Sequence, residues 1–388
     1  MHGEPVWLAR SDPDPERLPV LSGTVDADVC VVGLGGAGLA AIGAALELGA
    51  TVVGIDGASI GAGAAGRNAG FFLAGLADFH HVAVAALGRR RATRAYQLTL
   101  AEMDRMAAVD AALAGHGSAG ALPHSPARGR LIERSGSLRI ADGPAELRDC
   151  EEQLAAMRSD DLPVEPYTGP EGTGLLFPLD GAYDPLAWCR RLAGAARAAG
   201  ARLFEGSPAL EVGRAGVRTP AGEVVCDQVV VAVDGFLERL LPELSGRVRT
   251  TRIQALATEP VGRLRLARPV YTRWGYDFWR QLPDGRLLVG GQRDRAIDRE
   301  WDAEAVPSPS IQAGLDELLA TKVGVRAVVT HRWAGCAAYT TDRLPVCDEV
   351  RPGVWATGGY CGTGNVIGAM CGRAVVELAL TGTSALTL

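Results

Sequence analysis

Between Asp28 and Asp56 the hydrophobic pattern changes period twice. Val29, Cys30, Val31 and Val32 form an unbroken apolar run, as in a strand covered on both faces of a parallel sheet. After the glycines of GLGGAG comes LAAIGAALELGA, of helical length, closing at Gly49, a residue suited to the left-handed position past a helix end. TVVGID is then a second short strand, ended by Asp56. Elsewhere the pattern predicts helices over 92–114, 144–157 and 311–321, and strands over 136–141, 252–259, 271–281 and 286–291. A hairpin is expected in FWRQLPDGRLLVGG, where Pro283, Asp284 and Gly285 separate two strand-like runs. Near the end, 354–357 reads as a strand, GGYCGTGN as a tight turn, and a helix starts near Val366.

Strand, glycine turn, helix, strand and acid, with Asp56 23 positions after Gly33, predict a βαβ dinucleotide unit. Gly33, Gly35, Gly36, Ala37 and Gly38 would bring backbone against a pyrophosphate at a helix N-terminus, where unpaired N–H groups and the dipole favour negative charge. Asp56 would accept hydrogen bonds from ribose hydroxyls. The contact between helix and sheet usually asks for a small residue four places after the last glycine, and Ile42 stands there, which predicts a rotated helix or wider packing. A second G-x-G-x-x-G match, GAGAAG over 61–66, follows the acid without a strand of its own. With 50 glycines in 388 residues, chance alone gives about one such match, so context decides. The first match is the phosphate turn; the second lies beside the ligand.

Composition narrows the function. At 47% apolar and 22% charged the chain is globular, and its length suggests about two domains. A net charge of −6 argues against nucleic acid or an anionic membrane as partner. The opening residues carry no secretory pattern and no long apolar span appears, so a cytoplasmic protein is expected. Eight cysteines include no C-x-x-C pair and no zinc-like spacing, so no metal is expected. Only the acidic, proline-spaced SDPDPERLP resembles a linker.

The run IDGASIGAGAAGRNAGFF resembles the FAD-binding stretch of the D-amino-acid-oxidase-type flavoenzymes, in particular the γ-glutamylputrescine, glycine and sarcosine oxidase branch. Further segments are similar in order: LSGTVDADVCVVG, GAYDPLAWCRRLAGAARAAGARLFEG, PALEV, VVVAVDGFLERLLPEL, DGRLLVGG, RWAGCAAYTTDRLPV and VWATGGYCGTGNVIGAMCGRAVVEL. The resemblance implies an α/β fold, with a discontinuous Rossmann-like FAD domain over 1–80, 168–247 and 332–388. A substrate domain over 81–167 and 248–331 would carry a large antiparallel or mixed sheet with flanking helices. FAD contacts would come from the first turn, Asp56, Gly57, Ser59, Arg67, Asn68, Ala69, Gly70, Leu210 and Gly235. Gly362, Thr363, Gly364 and Asn365 would present a helix N-terminus to the flavin.

The implied reaction is oxidation of a C–N bond by hydride transfer to flavin N5, hydrolysis of the imine, and reoxidation by oxygen or another acceptor. No general base is required, and no catalytic residue is assigned. Family arginines that grip an α-carboxylate would stand at Ala337, which favours an amine over an α-amino acid; Arg280 is the alternative cation. Two other readings are an α-amino-acid oxidase using Arg280 and a flavin-carrying subunit that passes electrons to a partner; an oligomer is left open. Phe72, Tyr276, Asp277, Trp279, Arg280, Tyr339 and Tyr360 are the substrate-pocket candidates. On one strand, Trp274, Tyr276, Phe278 and Arg280 would share a face, and Tyr271, Arg273, Asp277 and Trp279 the other, either lining a cavity or packing a core. Cys336 stands close to the place of a thioether to FAD in some relatives, but non-covalent FAD is expected. Leu288 holds the apparent place of an oxygen-activating lysine, and His80 and His81 are expected at the surface.

Overall fold

The computed structural model describes residues 3–10, 17–115, 129–262 and 266–386, so most of the acidic SDPDPERLP stretch lies outside the described residues. Two eight-stranded sheets organise the chain. In the first, Arg202–Phe204, Val52–Ile55, Gly23–Val32, Gly222–Val231 and Val354–Gly358 are parallel neighbours, with Val346–Arg351 antiparallel at the edge. The apolar run 29–32 lies at the centre of this sheet. Val29 and Val31 pack with Leu39, Ala41 and Ala45 of the helix Gly36–Glu47, and Cys30 and Val32 pack on the other face with Val229, Val231 and Leu237. Burial on both faces is why the run is not alternating.

Ile42 is accommodated by a glycine on the sheet. A Cβ built on Gly54 of the neighbouring strand would stand 2.8 Å from Ile42 Cδ1, Leu203 Cδ2 and Leu34 Cδ2. The small residue this contact needs is on the strand instead of the helix. The helix Gly364–Thr381 packs across the Gly36 helix just as closely: a Cβ on Gly372 would meet the Ala37 carbonyl at 2.1 Å.

The second sheet runs Val329–Thr340, Val248–Pro260, Arg286–Gly291, Asp277–Gln281, Val270–Thr272, Ser137–Ile140, Gly172–Phe177, Glu165–Gly169. All its pairs are antiparallel except Val270–Thr272 with Ser137–Ile140. The helix Pro309–Thr321 covers one face through Ile311, Leu315, Leu318 and Leu319. From the other, Ala255, Ala257 and Leu288 meet Trp7, Leu186 and Trp333. Residues 165–177 and 329–340 are strands of this sheet, so divisions at 168 and 332 cut through it.

The expected strand 271–281 is two strands. Arg273, Trp274 and Gly275 have φ of 50°, 53° and 86°, and this left-handed turn folds Val270–Thr272 back on Asp277–Trp279. The expected shared faces therefore do not exist across the turn. The hairpin at Pro283–Gly285 forms as read, with Asp277–Gln281 against Arg286–Gly291.

Candidate functional site

The two glycine turns share one internal contact. A Cβ on Gly38 would stand 1.8 Å from the Gly33 carbonyl oxygen, and a Cβ on Gly66 would stand 2.2 Å from that of Gly61. In each turn the sixth residue must therefore be glycine. The turns also pack on each other: Gly61 N–H donates to the Leu34 carbonyl at 3.1 Å, and a Cβ on Gly35 would lie 3.2 Å from Ala65 Cβ.

Both turns open on one cavity of about 1160 Å³, above the usual 300–1,000 Å³ of small-ligand sites. Gly33, Gly35, Gly36 and Ala37 line it at the N-terminus of the Gly36 helix, and Gly362, Thr363, Gly364 and Asn365 line it at the N-terminus of the Gly364 helix. First-turn N–H groups have no intrahelical acceptor, so two positive dipole ends face the same space. A Cβ on Gly36 would meet no atom within 4 Å, so this glycine leaves open room beside the N–H groups. That cradle, the cavity's size and the acid at its side fit a dinucleotide. Asp56, also on the wall, accepts Leu34 N–H and Ala58 N–H at 2.8 Å each, and its carboxyl is pushed up by burial against those bonds. Gly57, Ala69 and Gly235 line the cavity too.

Arg67, through Nε and Nη1, and Asn68 line it with those polar atoms already engaged. Arg67 donates to the carbonyls of Ala62 at 2.8 Å, Gly3 at 3.0 Å and Ala334 at 3.0 Å. Asn68 holds Ala64 and Ala65 carbonyls and Gly70 N–H, and accepts from Asn365 at 3.0 Å. The indole N–H groups of Trp7 and Trp333 bind the Asn68 and Arg67 carbonyls, each at 2.8 Å. These bonds fix the second turn between the N-terminal segment, the second sheet and the Gly364 helix. Asp234, which the sequence reading passed over, accepts N–H from Ala338, Gly359 and Tyr360, and burial pushes it up to about 6.

Several expected residues do not reach the cavity. Gly38 and Gly70 serve close backbone contacts, and Ser59 stands off the wall. Leu210 is 52% exposed, and Pro208 and Ala209 line the cavity in its place. Phe72 packs with Met103 and Met106, and Trp279 packs under the Pro309 helix. Asp277 is held by Arg273 and Gln292. Arg280 donates to the carbonyls of Ala69, Gly70 and Tyr183 at 3.3, 2.9 and 2.9 Å, so its cation serves the second glycine loop. His80 is buried against Asp160 and lines the cavity, contrary to a surface place, because the helix His80–Leu87 packs on the helix Arg89–Gly115.

Tyr276, Tyr339 and Tyr360 do line the cavity, with Phe71, Phe278 and Tyr271. The Tyr360 hydroxyl is 2.8 Å from Thr357 Oγ1. Cys336 and Ala337 are on the same wall, and burial, the leading cause, pushes the Cys336 thiol up to about 11. At the far end Asp180 accepts Ser137 O–H at 2.7 Å and Ala74 N–H at 3.0 Å, and burial raises it to about 7. Arg293 was also missed. It lies among the rings of Tyr339, Trp301 and Tyr276, and its only sequence signal was a charge two places after a strand's paired glycines.

The pattern of the family described as "DAO: FAD dependent oxidoreductase" matches residues 28–378. The chain is 28% identical over 392 residues to a probable oxidoreductase OrdL of Rhizobium meliloti, covering 96% of this chain and 88% of the relative. It is 28% identical over 224 residues to the gamma-glutamylputrescine oxidoreductase of Escherichia coli, covering 55% of this chain and 50% of that protein. Glycine oxidase from Bacillus cereus superposes with a TM-score of 0.75 at 18% identity, covering 93% of this chain and 99% of that one. Iminodiacetate oxidase from Chelativorans sp. gives 0.71 at 17%, covering 93% and 97%. A βαβ glycine turn, a second glycine loop pinned beside it and a match over nearly the whole chain lead to one conclusion: the protein belongs to the FAD dependent oxidoreductase family.

Proposed function

We propose that the cavity holds FAD non-covalently, with its diphosphate on the 33–38 turn, its ribose at Asp56 and its ring beside the Arg67–Asn68 backbone and the Gly364 helix. The reaction proposed is oxidation of an amine at its C–N bond, the imine then being hydrolysed, with oxygen as final acceptor and peroxide as product. The observation that carries the reading is the continuity of one cavity from two helix N-termini to an aromatic wall on the second sheet. The substrate class draws support from relatives whose names specify glycine, iminodiacetate and gamma-glutamylputrescine.

FAD, when bound, supplies the hydride acceptor. The chain's part is positioning and electrostatics. Tyr276, Tyr339, Tyr360 and Phe278 would hold the substrate by area and by the attraction of ring faces for an ammonium group. First-turn N–H groups at Gly364 and Asn365 would favour negative charge developing at that end. Arg280 is off the cavity wall and its Nη1 is given to three carbonyls, which speaks against it as the carboxylate grip of an α-amino-acid oxidase.

The test is anaerobic titration of the yellow holoprotein with a panel of amines and amino acids. Loss of flavin colour with at least one amine is expected, with peroxide release in air. Bleaching by no amine would overturn the substrate class, and bleaching without peroxide would make the chain a flavin subunit that hands electrons to a partner.

A further inference from the structure

The cavity contains a cation without a counter-charge. Four arginines line it: Arg67, Arg239, Arg293 and Arg343. Arg67 is held by carbonyls, Arg343 is paired with Asp78, and Arg239 lies exposed over the Phe236 ring. Arg293 is different. It is only 9% exposed, and its buried Nη1 has no hydrogen-bond partner among the described residues. Its guanidinium carbon stands 4.6 Å from the Tyr339 ring centre, 5.3 Å from that of Trp301 and 5.8 Å from that of Tyr276.

The acids nearby pair with other arginines, although Asp294 Oδ1 is itself buried without a hydrogen-bond partner among the described residues. Asp277 and Asp294 are bound by Arg273, and Glu300 and Asp302 by Arg252. The backbone also fixes Arg293 in place. Gly291 and Gln292 precede it with φ of 117° and 62°, and a Cβ on Gly291 would collide with the Tyr276 carbonyl. Aromatic faces offset part of the cost of burying a cation, but they leave the planar N–H fork without an acceptor. A fork of this kind matches a carboxylate, which accepts two parallel bonds.

We propose that Arg293 is the specificity-determining anchor of the substrate site, pairing with a carboxylate carried by the amine that this cavity oxidises. The anchor sits on the turn after Arg286–Gly291, across sequence from Ala337, which lines the same cavity and offers no charge. It rests on the amine-oxidising reading for its substrate, but anion capture is measurable without turnover.

The experiment is calorimetric titration of the FAD-loaded protein with propionate and benzoate, each against its neutral amide, in the wild type, Arg293→Gln and Arg293→Lys. Carboxylates are expected to bind the wild type and the amides to bind at least about 10-fold more weakly. Arg293→Gln should lose that preference and Arg293→Lys keep part of it. The wild-type comparison alone tests the anchor if a variant fails to fold. Equal binding of acid and amide, or an acid preference that survives in Arg293→Gln, would overturn it. If amines bleach the flavin while no acid preference exists, the anchor falls and the amine reading stands. If the acid preference depends on Arg293 while no amine bleaches, the anchor stands and the reaction class falls.

Discussion

Three glycines in one helix make opposite predictions when each is replaced by alanine. A methyl on Gly38 would stand 1.8 Å from the Gly33 oxygen and 3.0 Å from its carbonyl carbon. That oxygen belongs to backbone fixed by a 2.8 Å bond from Gly33 N–H to the Ile55 carbonyl, so the helix has to move. Reaching ordinary contact needs a retreat of roughly 1.5 Å, in a core too densely packed to absorb it. The Gly364 helix clamps the far side at Ala37. Overpacking of this kind costs about 1–3 kcal/mol, of which better helix propensity offsets about 1. The same shift draws the first-turn N–H groups off a bound phosphate, and each lost charged bond weakens FAD by about 10- to 100-fold.

Gly43, in the same helix, would place a methyl with nothing within 4 Å, so Gly43→Ala should gain about 1 kcal/mol and keep its flavin. Gly36→Ala separates fold from ligand. Its methyl also meets no protein atom within 4 Å, but it enters the cavity. The apoprotein should unfold like the wild type while FAD affinity falls by at least about 10-fold. The assay pairs urea unfolding of the apoprotein with FAD titration by fluorescence. Normal FAD affinity in Gly36→Ala would refute the placement of the diphosphate, and wild-type stability in Gly38→Ala would refute the packing argument.

Arg280→Met should destabilise the protein by about 2–4 kcal/mol, since three carbonyls lose their donor, and should shift KM for acidic and neutral substrates by the same factor; a selective loss with acids would assign it to the substrate. Asp180 is raised by burial to about 7, against about 4 unfolded. The native state thus holds an extra proton between those values, so its relative stabilisation is full below pH 4 and declines as pH rises through 7. Asp180→Asn should shrink the fall in urea midpoint between pH 5 and pH 8, and an unchanged fall would show that the group titrates normally. A Cys336 thiol pushed up to about 11 is not a thiolate at neutral pH, so acid precipitation should release all flavin from wild type and Cys336→Ala alike; retained colour in the wild-type pellet alone would show a thioether.

The glycine-turn end of the cavity was legible because it is specified locally and by absence. A glycine's missing side chain leaves the same mark in sequence and in structure, so 33–38 could be read from six residues and their flanks. The position of Ile42 shows the limit even there: the compensating Gly54 is close in sequence, but only the pairing of strands says that the two face each other. The break at Arg273 and Trp274 was hidden because two of the three left-handed positions hold large residues instead of glycine or asparagine, and that error carried the faces of Asp277 and Trp279 with it.

The aromatic end of the cavity is specified by partners, and partners are distant in sequence. Arg280 and Arg293 are chemically the same side chain 13 positions apart on adjoining elements. One meets carbonyls from residues 69, 70 and 183, and the other meets three rings from 276, 301 and 339. An arginine whose Nη1 is shared among three carbonyl oxygens works as a brace for the loop that carries them. An arginine surrounded by ring faces keeps its charge and lacks an acceptor, which a ligand with a carboxylate would provide. The difference between the two surroundings lies wholly in those neighbours. Nothing in the sequence separates Arg280 from Arg293, and the proposal that Arg293 is the anchor rests on those neighbours.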